Sequence, residues 1–449
     1  MLFDTIAAIS TPIGEGGLAV IRLSGPAALS IADQVFDPAS NKLRTAEVPS
    51  HTVHYGTIHR DGRTIDEVML AVFRAPRTFT REDMVEISCH GGILPAKLVL
   101  DAVLAAGARL AAAGEFTKRA FLNGRIDLAQ AEAVADLIHS RTELALQAAN
   151  EQLAGKLSRR IEELRDRMVQ TLAHIEAHID FPDEDISPDT KEKLTARLAD
   201  GVAFIDSLLR TAAEGQVLRN GIRVAIVGRP NAGKSSLLNQ LLGHERAIVS
   251  PIPGTTRDTI EETANIRGIP VIFVDTAGLR EASDSIEAEG IRRSHRSVER
   301  AELILHLLDA SEPLTDPLPN GPAGKKRIYV VNKIDLPRQL PTAPAGALEI
   351  SCATGAGLEE LRDAIRASVW SGQAGGEMLE VMINARHQDA LRRARIHALK
   401  SLEALRENLP LELPAMDLRI ATNAVGEVVG KTSTEDILDS IFSQFCIGK

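Results

Sequence analysis

The chain has 449 residues, too many for one hydrophobic core, so two or three domains are expected. Apolar residues at 44% and charged residues at 25% suit a globular protein, while 3% aromatics leaves its cores to Ala, Leu, Ile and Val. A net charge of −10 excludes a chain that coats nucleic acid through bulk charge, so any RNA contact must come from local basic patches.

Cys89, Cys352 and Cys446 are an odd set with no CxxC pair, which argues against a disulfide scaffold or a zinc site and fits a reducing cytoplasm. The first residues carry Asp4 and no basic stretch, unlike a signal peptide, and no apolar run approaches the ~18 residues of a spanning helix. No membrane association is expected.

Residues 1–118 mix strand and turn signals. Ala19–Leu23, Met69–Phe73 and Met84–Ile87 are short β-rich runs, and Leu94–Ala106 reads as a helix broken at Gly107. This predicts a compact α+β unit. Residues 119–215 turn to helical spacing, with Leu128, Ala131, Ala135 and Ile138 in one series and Leu153, Leu157, Ile161 and Leu164 in another. Phe181-Pro182-Asp183 interrupts that pattern, because Pro cannot continue a helix. Residues 216–372 alternate strand and helix signals, the mark of a mostly parallel α/β domain. Ser371–Gly376 reads as a linker. Residues 373–449 return to helix, with a capping box predicted at Thr432 and Glu435. The fold class is therefore multidomain α/β: an N-terminal α+β domain, a discontinuous helical domain, and an inserted domain with a mostly parallel sheet.

The apolar strand Arg223–Val227 runs straight into Gly228-Arg229-Pro230-Asn231-Ala232-Gly233-Lys234-Ser235, a GxxxxGK[ST] loop in strand–loop–helix context. Such a loop turns successive backbone N–H groups and a helix N-terminus toward phosphate. Asn231 to Ser236 are the candidate contacts, with Lys234 neutralising the outer phosphates and Ser235 offering a hydroxyl to Mg²⁺. Val271–Val274 leads into Asp275-Thr276-Ala277-Gly278, a DxxG whose Asp275 would hold Mg²⁺ through water. Between the two lies Gly254-Thr255-Thr256-Arg257-Asp258, where Thr256 is the candidate second Mg²⁺ hydroxyl.

The strand Ile328–Val331 ends in Asn332-Lys333-Ile334-Asp335. A carboxylate there accepts from N1–H and the amino group of guanine, whereas adenine leaves it unpaired. Ser351-Cys352-Ala353 supplies the loop behind the base, with Cys352 read as a small packed residue. The position after DxxG is Leu279, which has no polar atom to orient water. Another acid and another cation must do that work if hydrolysis is to be fast.

The ordered set Asn231-bearing P-loop, GTTRD, Asp275–Glu281, Asn332–Asp335 and Ser351–Ala353 resembles the MnmE (TrmE) family of tRNA-modification GTPases. So do the segment Gly114–Ala133, which resembles the entry to that family's helical domain, and the ending Phe445-Cys446-Ile447-Gly448-Lys449. The resemblance implies a homodimer that binds 5-formyl- or methylene-tetrahydrofolate in its N-terminal domain. It implies an FAD-dependent partner, MnmG (GidA), and an aminomethyl or carboxymethylaminomethyl product at C5 of the tRNA wobble uridine. It further implies K⁺-dependent hydrolysis, with Asn231, Ser250, Ile252 and Thr255 as K⁺ ligands and Glu287 orienting water beside Lys234 and Thr256. Arg22, Glu86, Arg125 and Lys449 match the folate pocket, and Cys446 a thiol in the modification chemistry. A bland packing role for Cys446 stays open. Cys446–Lys449 also has the spacing of a prenylation box, but Gly448 is not aliphatic. The rival reading is a ribosome-assembly switch of the Era or EngA type, which one P-loop and the absence of a KH-type GxxG pattern disfavour. Arg292-Arg293 with Arg296, and Arg392-Arg393 with Arg395, are the best RNA-contact candidates.

Overall fold

The computed structural model describes residues 4–39, 44–45, 47–181, 191–243, 262–274, 298–313, 325–340, 342–370, 383–432 and 434–449. They fall into two compact units, Met1–Ala135 with Val429–Lys449, and Asp136–Val428.

The first unit is built on a seven-stranded sheet of order β3-β4-β5-β6-β2-β1-β7. Its strands are β1 (Ile6–Ile9), β2 (Leu18–Ser24), β3 (Phe36–Pro38), β4 (Thr52–Arg60), β5 (Arg63–Phe73), β6 (Met84–His90) and β7 (Arg109–Leu110). All pairings are antiparallel except β1 with β7. Period-two alternation sends Ile21, Leu23, Leu70, Val72, Val85 and Ile87 to one face, where they bury against α1 (Ala28–Val35) and α2 (Ile93–Ala105). The same alternation turns Arg22 and Glu86 to the opposite face, directly across from each other. The expected helix at Leu94–Ala106 and the three strand runs are found here. The β4–β5 hairpin was not read from the sequence, because His, Gly and Thr dilute the apolar signal of β4.

The glycine-bounded segment after β7 forms α3 (Glu115–Leu122). Phe116, Thr117 and Arg119 of α3 are fully buried. Arg119 is held by Asp4 at 2.7 Å, Glu115 at 3.0 Å and Glu82 at 3.2 Å, so one guanidinium ties its own helix to the segments that lead into β1 and β6. The chain end belongs to this unit: α11 (Glu435–Phe442) packs Leu438, Ile441, Phe442 and Phe445 onto Leu128 and Ala131. Its N-cap is Thr434, with no side-chain cap bond, so the capping box predicted at Thr432 does not form. The capping box in the structure joins Asn384 and His387, a His-for-Glu variant that the usual pattern misses.

In the second unit α5 (Glu143–Leu153), α6 (Lys156–Asp180), α7 (Lys191–Asn220) and α10 (Ala385–Arg406) carry apolar residues at helical spacing, as in Leu194, Leu198, Val202, Ile205 and Leu208. The predicted series from Leu153 to Leu164 is broken at Gly155, whose φ of 80° ends α5's run and starts α6. In the earlier series Leu128, Ala131 and Ala135 lie along α4 (Leu128–His139), but Ile138 is exposed. Helices α7 and α10 pack on each other, bridged by Arg395 and Asp206, so sequence segments on either side of the α/β insertion meet.

That insertion is a six-stranded sheet of order β13-β12-β11-β8-β10-β9. Strands β8 (Ile222–Gly228), β10 (Ile269–Phe273), β11 (Leu303–Asp309), β12 (Lys326–Asn332) and β13 (Leu348–Glu349) are parallel, and β9 (Glu262–Ile266) is antiparallel to β10. Helices α8 (Lys234–Leu242) and α9 (Leu358–Val369) contribute Leu237, Leu241, Leu361 and Ile365 to its core. A parallel sheet buried on both faces explains why these strands read as continuous apolar runs. The chain's carboxyl-end loops of β8, β11, β12 and β13 therefore share one edge, where ligands of such sheets bind.

Candidate functional site: a nucleotide loop and a cation-lined pocket

Strand β8 ends at Gly228, where a Cβ would lie 2.4 Å from the Leu307 carbonyl oxygen, so only glycine lets the loop leave beside β11. The loop then turns through two left-handed residues, Asn231 at φ 61° and Gly233 at φ 97°, and Gly233 caps α8. A Cβ on Gly233 would sit 2.2 Å from Asn332 Nδ2. These turns aim N–H groups and the α8 N-terminus into one concavity, a ready anion site.

The Lys234 ammonium donates to the carbonyls of Gly228 at 3.0 Å and Arg229 at 2.7 Å. Burial pulls its pKa down, since no anion faces it among the described residues. A phosphate in the concavity would replace two neutral acceptors with charged ones. Ser235 and Ser236 are exposed on the first turn of α8, and Ala232 is buried.

The base-side loops are locked to this one by Asn332. Its amide donates to the Ala232 carbonyl at 2.9 Å, and its oxygen accepts from the Cys352 N–H at 3.1 Å. Thus three segments spaced over 120 residues of sequence share one amide side chain. Ser351 donates to Asp335 Oδ1 at 2.5 Å and fixes the carboxylate's orientation. Gln240 of α8 donates to the Cys352 carbonyl at 2.9 Å and holds the loop from behind. Ala353 is exposed. The Cys352 thiol is buried, and burial with the nearby Asp335 charge pushes its pKa up to about 11, which makes it a packed residue.

Asp309 was not singled out from the sequence. It ends β11 and meets the Lys333 ammonium at 2.5 Å, while Lys333 itself is held in the left-handed region at φ 66°. Burial works against the Asp309 charge, but Lys333 and Ser311 overcome it and its pKa is lowered. The signal was an acid terminating the apolar run Leu303–Leu308 at the carboxyl edge of a parallel sheet. Ser250, Ile252, Thr255, Thr256, Asp275, Thr276, Ala277, Gly278, Leu279 and Glu287 lie outside the described residues, as do Arg292, Arg293 and Arg296.

The first unit contains a pocket of ≈ 520 Å³ lined by Phe79, Glu86, Arg125 and the loop residues Arg77, Thr78 and Arg81. Arg22 pairs with Glu86 at 2.8 Å, and its guanidinium lies 5.7 Å from the Phe116 ring and 6.0 Å from the Phe79 ring. The Arg125 guanidinium also stacks on this ring, 4.8 Å from the Phe79 centroid. Arg22, Glu86 and Arg125 therefore converge on Phe79, which sequence reasoning did not name. The Lys449 carbonyl accepts from the Phe116 N–H at 3.2 Å, which fixes the chain end at the first turn of α3. Cys446 is exposed and lies next to the bridge between Ile447 and Ala113.

A family profile described as MnmE helical domain matches residues 128–446, and one described as GTP-binding protein TrmE N-terminus matches residues 5–125. The chain belongs to the MnmE (TrmE) family of tRNA modification GTPases. Members named tRNA modification GTPase MnmE from Geobacillus kaustophilus and Geobacter metallireducens are each 47% identical over 460 residues. These alignments span 100% of this chain and 99% and 100% of the relatives. Among solved structures, the G domain of the Thermotoga maritima FeoB iron transporter is 26% identical over 32% of this chain and 97% of its own, at a TM-score of 0.23. No helix among the described residues is long and apolar enough to cross a membrane.

The family places the nucleotide loop in a GTP hydrolase of tRNA modification. Of the basic clusters, Arg393 is neutralised by Asp389 at 3.0 Å and Glu427 at 2.5 Å, and Arg395 by Asp206. Those two charges serve the helix packing of the second unit.

Proposed function

We propose that this chain acts in the cytoplasm as a homodimer and uses GTP hydrolysis to drive modification of the tRNA wobble uridine at C5. An FAD-dependent MnmG-type partner shares the reaction, which leaves an aminomethyl or carboxymethylaminomethyl group. A 5-formyl- or methylene-tetrahydrofolate occupies the pocket around Phe79. The observation that carries this reading is that one chain holds both a guanine-type nucleotide loop keyed by Asn332 and a separate aromatic, cation-lined pocket of ≈ 520 Å³.

Lys234 exchanges two backbone carbonyls for phosphate oxygens, and its depressed pKa recovers as it gains a charged partner. Asp335, oriented by Ser351, accepts from the N1–H and amino group of guanine. Lys333, anchored on Asp309, lies along the same edge. Ser235 and Thr256 would hold Mg²⁺, and Asn231, Ser250, Ile252 and Thr255 would hold K⁺. Bound there, the two cations supply positive charge against the charge that develops between the β- and γ-phosphates. Glu287 orients the attacking water in place of the side chain that Leu279 lacks. In the other pocket Glu86, held by Arg22, accepts from the N–H edge of a pterin, and Arg22 and Arg125 frame it.

Mass spectrometry of tRNA nucleosides tests the reading. Cells lacking the chain should lose the C5-substituted wobble uridine and regain it with the wild-type chain but not with Lys234→Ala. An unchanged nucleoside profile would remove the proposed reaction.

A further inference from the structure

The Phe79 pocket carries more positive charge than its own residues neutralise. Among the described residues Glu86 is the one acid lining it, and Arg22 already pairs with that acid. Three guanidinium groups remain: Arg77, Arg81 and Arg125. Arg125 donates to the Thr78 carbonyl at 3.2 Å and stacks on Phe79, and Arg81 donates to the Asn123 carbonyl at 2.9 Å. Arg77 has no hydrogen-bond or ion-pair partner among the described residues. None of the three meets a carboxylate, whereas Arg109, Arg119 and Arg393 elsewhere in the chain are each tied to two or more. Burial, and then the Arg81 charge, lowers the Arg125 pKa, so these cations feel one another. Arg81 also sits at φ 59°, in the left-handed region where a long side chain is costly. Strain of that kind persists when the surrounding structure holds the residue to a task.

A pteroyl monoglutamate carries two carboxylates, and every further γ-linked glutamate adds one more. We propose that Arg77, Arg81 and Arg125 form a subsite for the γ-linked polyglutamyl tail of the folate, so that the pocket selects polyglutamylated over monoglutamylated cofactor. The inference rests on the folate reading of this pocket and assigns its charged rim. Arg125 spans the boundary, stacked on Phe79 at the ring end and facing the tail with its free N–H groups. Arg77 and Arg81, on the exposed loop, take the outer carboxylates. Each exposed pair contributes modestly alone, but a tail engaging several at once avoids the cost of binding each separately.

Titration calorimetry on the full-length protein, with 5-formyltetrahydrofolate bearing one or five glutamates, decides it. The five-glutamate form should bind roughly tenfold tighter or better, and that gain should shrink as KCl rises from about 50 to about 200 mM. Arg77→Ala combined with Arg81→Asn should erase most of the gain while costing the monoglutamate far less. Asn tolerates the left-handed backbone, and a melting curve checks that the variant is folded. Arg22→Ala should instead weaken both forms alike. Equal wild-type affinity for the two forms overturns the tail subsite and leaves the folate reading standing. Binding of neither form overturns both. A double variant that keeps the ratio but loses affinity for tRNA overturns the proposal in favour of RNA phosphates.

Discussion

The nucleotide loop and the Phe79 pocket are both concave and cation-bearing, but they are assembled in opposite ways. The loop's residues arrive in short contiguous words, Gly228–Ser235, Asn332–Asp335 and Ser351–Ala353, because a parallel sheet brings the ends of its strands to one edge. The pocket draws Arg22 from β2, Glu86 from β6, Phe79 from the loop before β6 and Arg125 from beyond α3. An antiparallel register does the work there, setting Arg22 opposite Glu86. The first kind of site depends on local backbone conformation. The second depends on long-range packing, and it is supported by the buried Arg119 cluster. Damage to packing should therefore cost the pocket more than the loop.

The largest expected effect tests that dependence. Arg119→Ala strips Glu82 of its guanidinium, while Asp4 and Glu115 keep Arg109, and removing one partner of a buried ion pair in this way costs roughly 3 kcal/mol. Folate binding should be lost at temperatures where GTP binding persists. Equal loss of both ligands, followed by calorimetry, would erase the distinction between the two sites.

A second comparison concerns turnover at the loop. GTP hydrolysis should be fast in KCl and slow in NaCl at equal ionic strength, with Asn231→Ala abolishing the difference. Glu287→Ala should cut turnover by roughly a hundredfold while leaving GTP affinity nearly unchanged. Equal rates in the two salts would sink the K⁺ reading.

Acid should separate the regions next. His306 of β11 is buried, and that burial, then Arg327, drops its pKa to about 4 from 6.5. The unfolded chain therefore binds more protons than the folded one between those values, and stability falls as pH drops through the window. By pH 5 the loss is about 2 kcal/mol, and His306→Phe should remove it. In the first unit, burial opposes the charges of Asp4 and Glu115, but Arg109 and Arg119 overcome it and lower both pKa values. Their stabilisation holds above the ordinary carboxylate range and is lost only as pH falls below it. Scanning calorimetry at pH 7 and pH 5 reads both. A wild-type midpoint that does not move, or moves as much in His306→Phe, would refute the assignment.

The smallest effect is the most selective. Arg22→Ala should weaken 5-formyltetrahydrofolate binding by roughly tenfold, about 1.4 kcal/mol, with GTP affinity unchanged. Unchanged folate affinity would take Arg22 out of the site.

How much could be read in advance follows from the same contrast. The strand–loop–helix context of Gly228–Ser235, the Asn332–Asp335 segment at the end of β12 and the α/β alternation around them were legible in order, because each depends on neighbours within a few residues. So was the mostly parallel sheet. The sequence also carried the resemblance to a family of tRNA modification GTPases, since whole-chain motifs survive without any contact being known. Asp309 paired with Lys333, Phe79 in contact with Arg22 and Arg125, and the three carboxylates around Arg119 were not legible. Apart from Glu115, one helical turn before Arg119, each joins residues far apart in the chain, and nothing local marks an acid or a ring as a partner. The helix caps show the same limit: Thr432 had the pattern, but Thr434 is the N-cap and Asn384 with His387 makes the box. Local chemistry fixed what kinds of ligand could be bound. Tertiary packing alone decided which charges were neutralised and which, at Arg77, Arg81 and Arg125, were left for a ligand, because that balance is set by which elements the fold brings within a few ångströms.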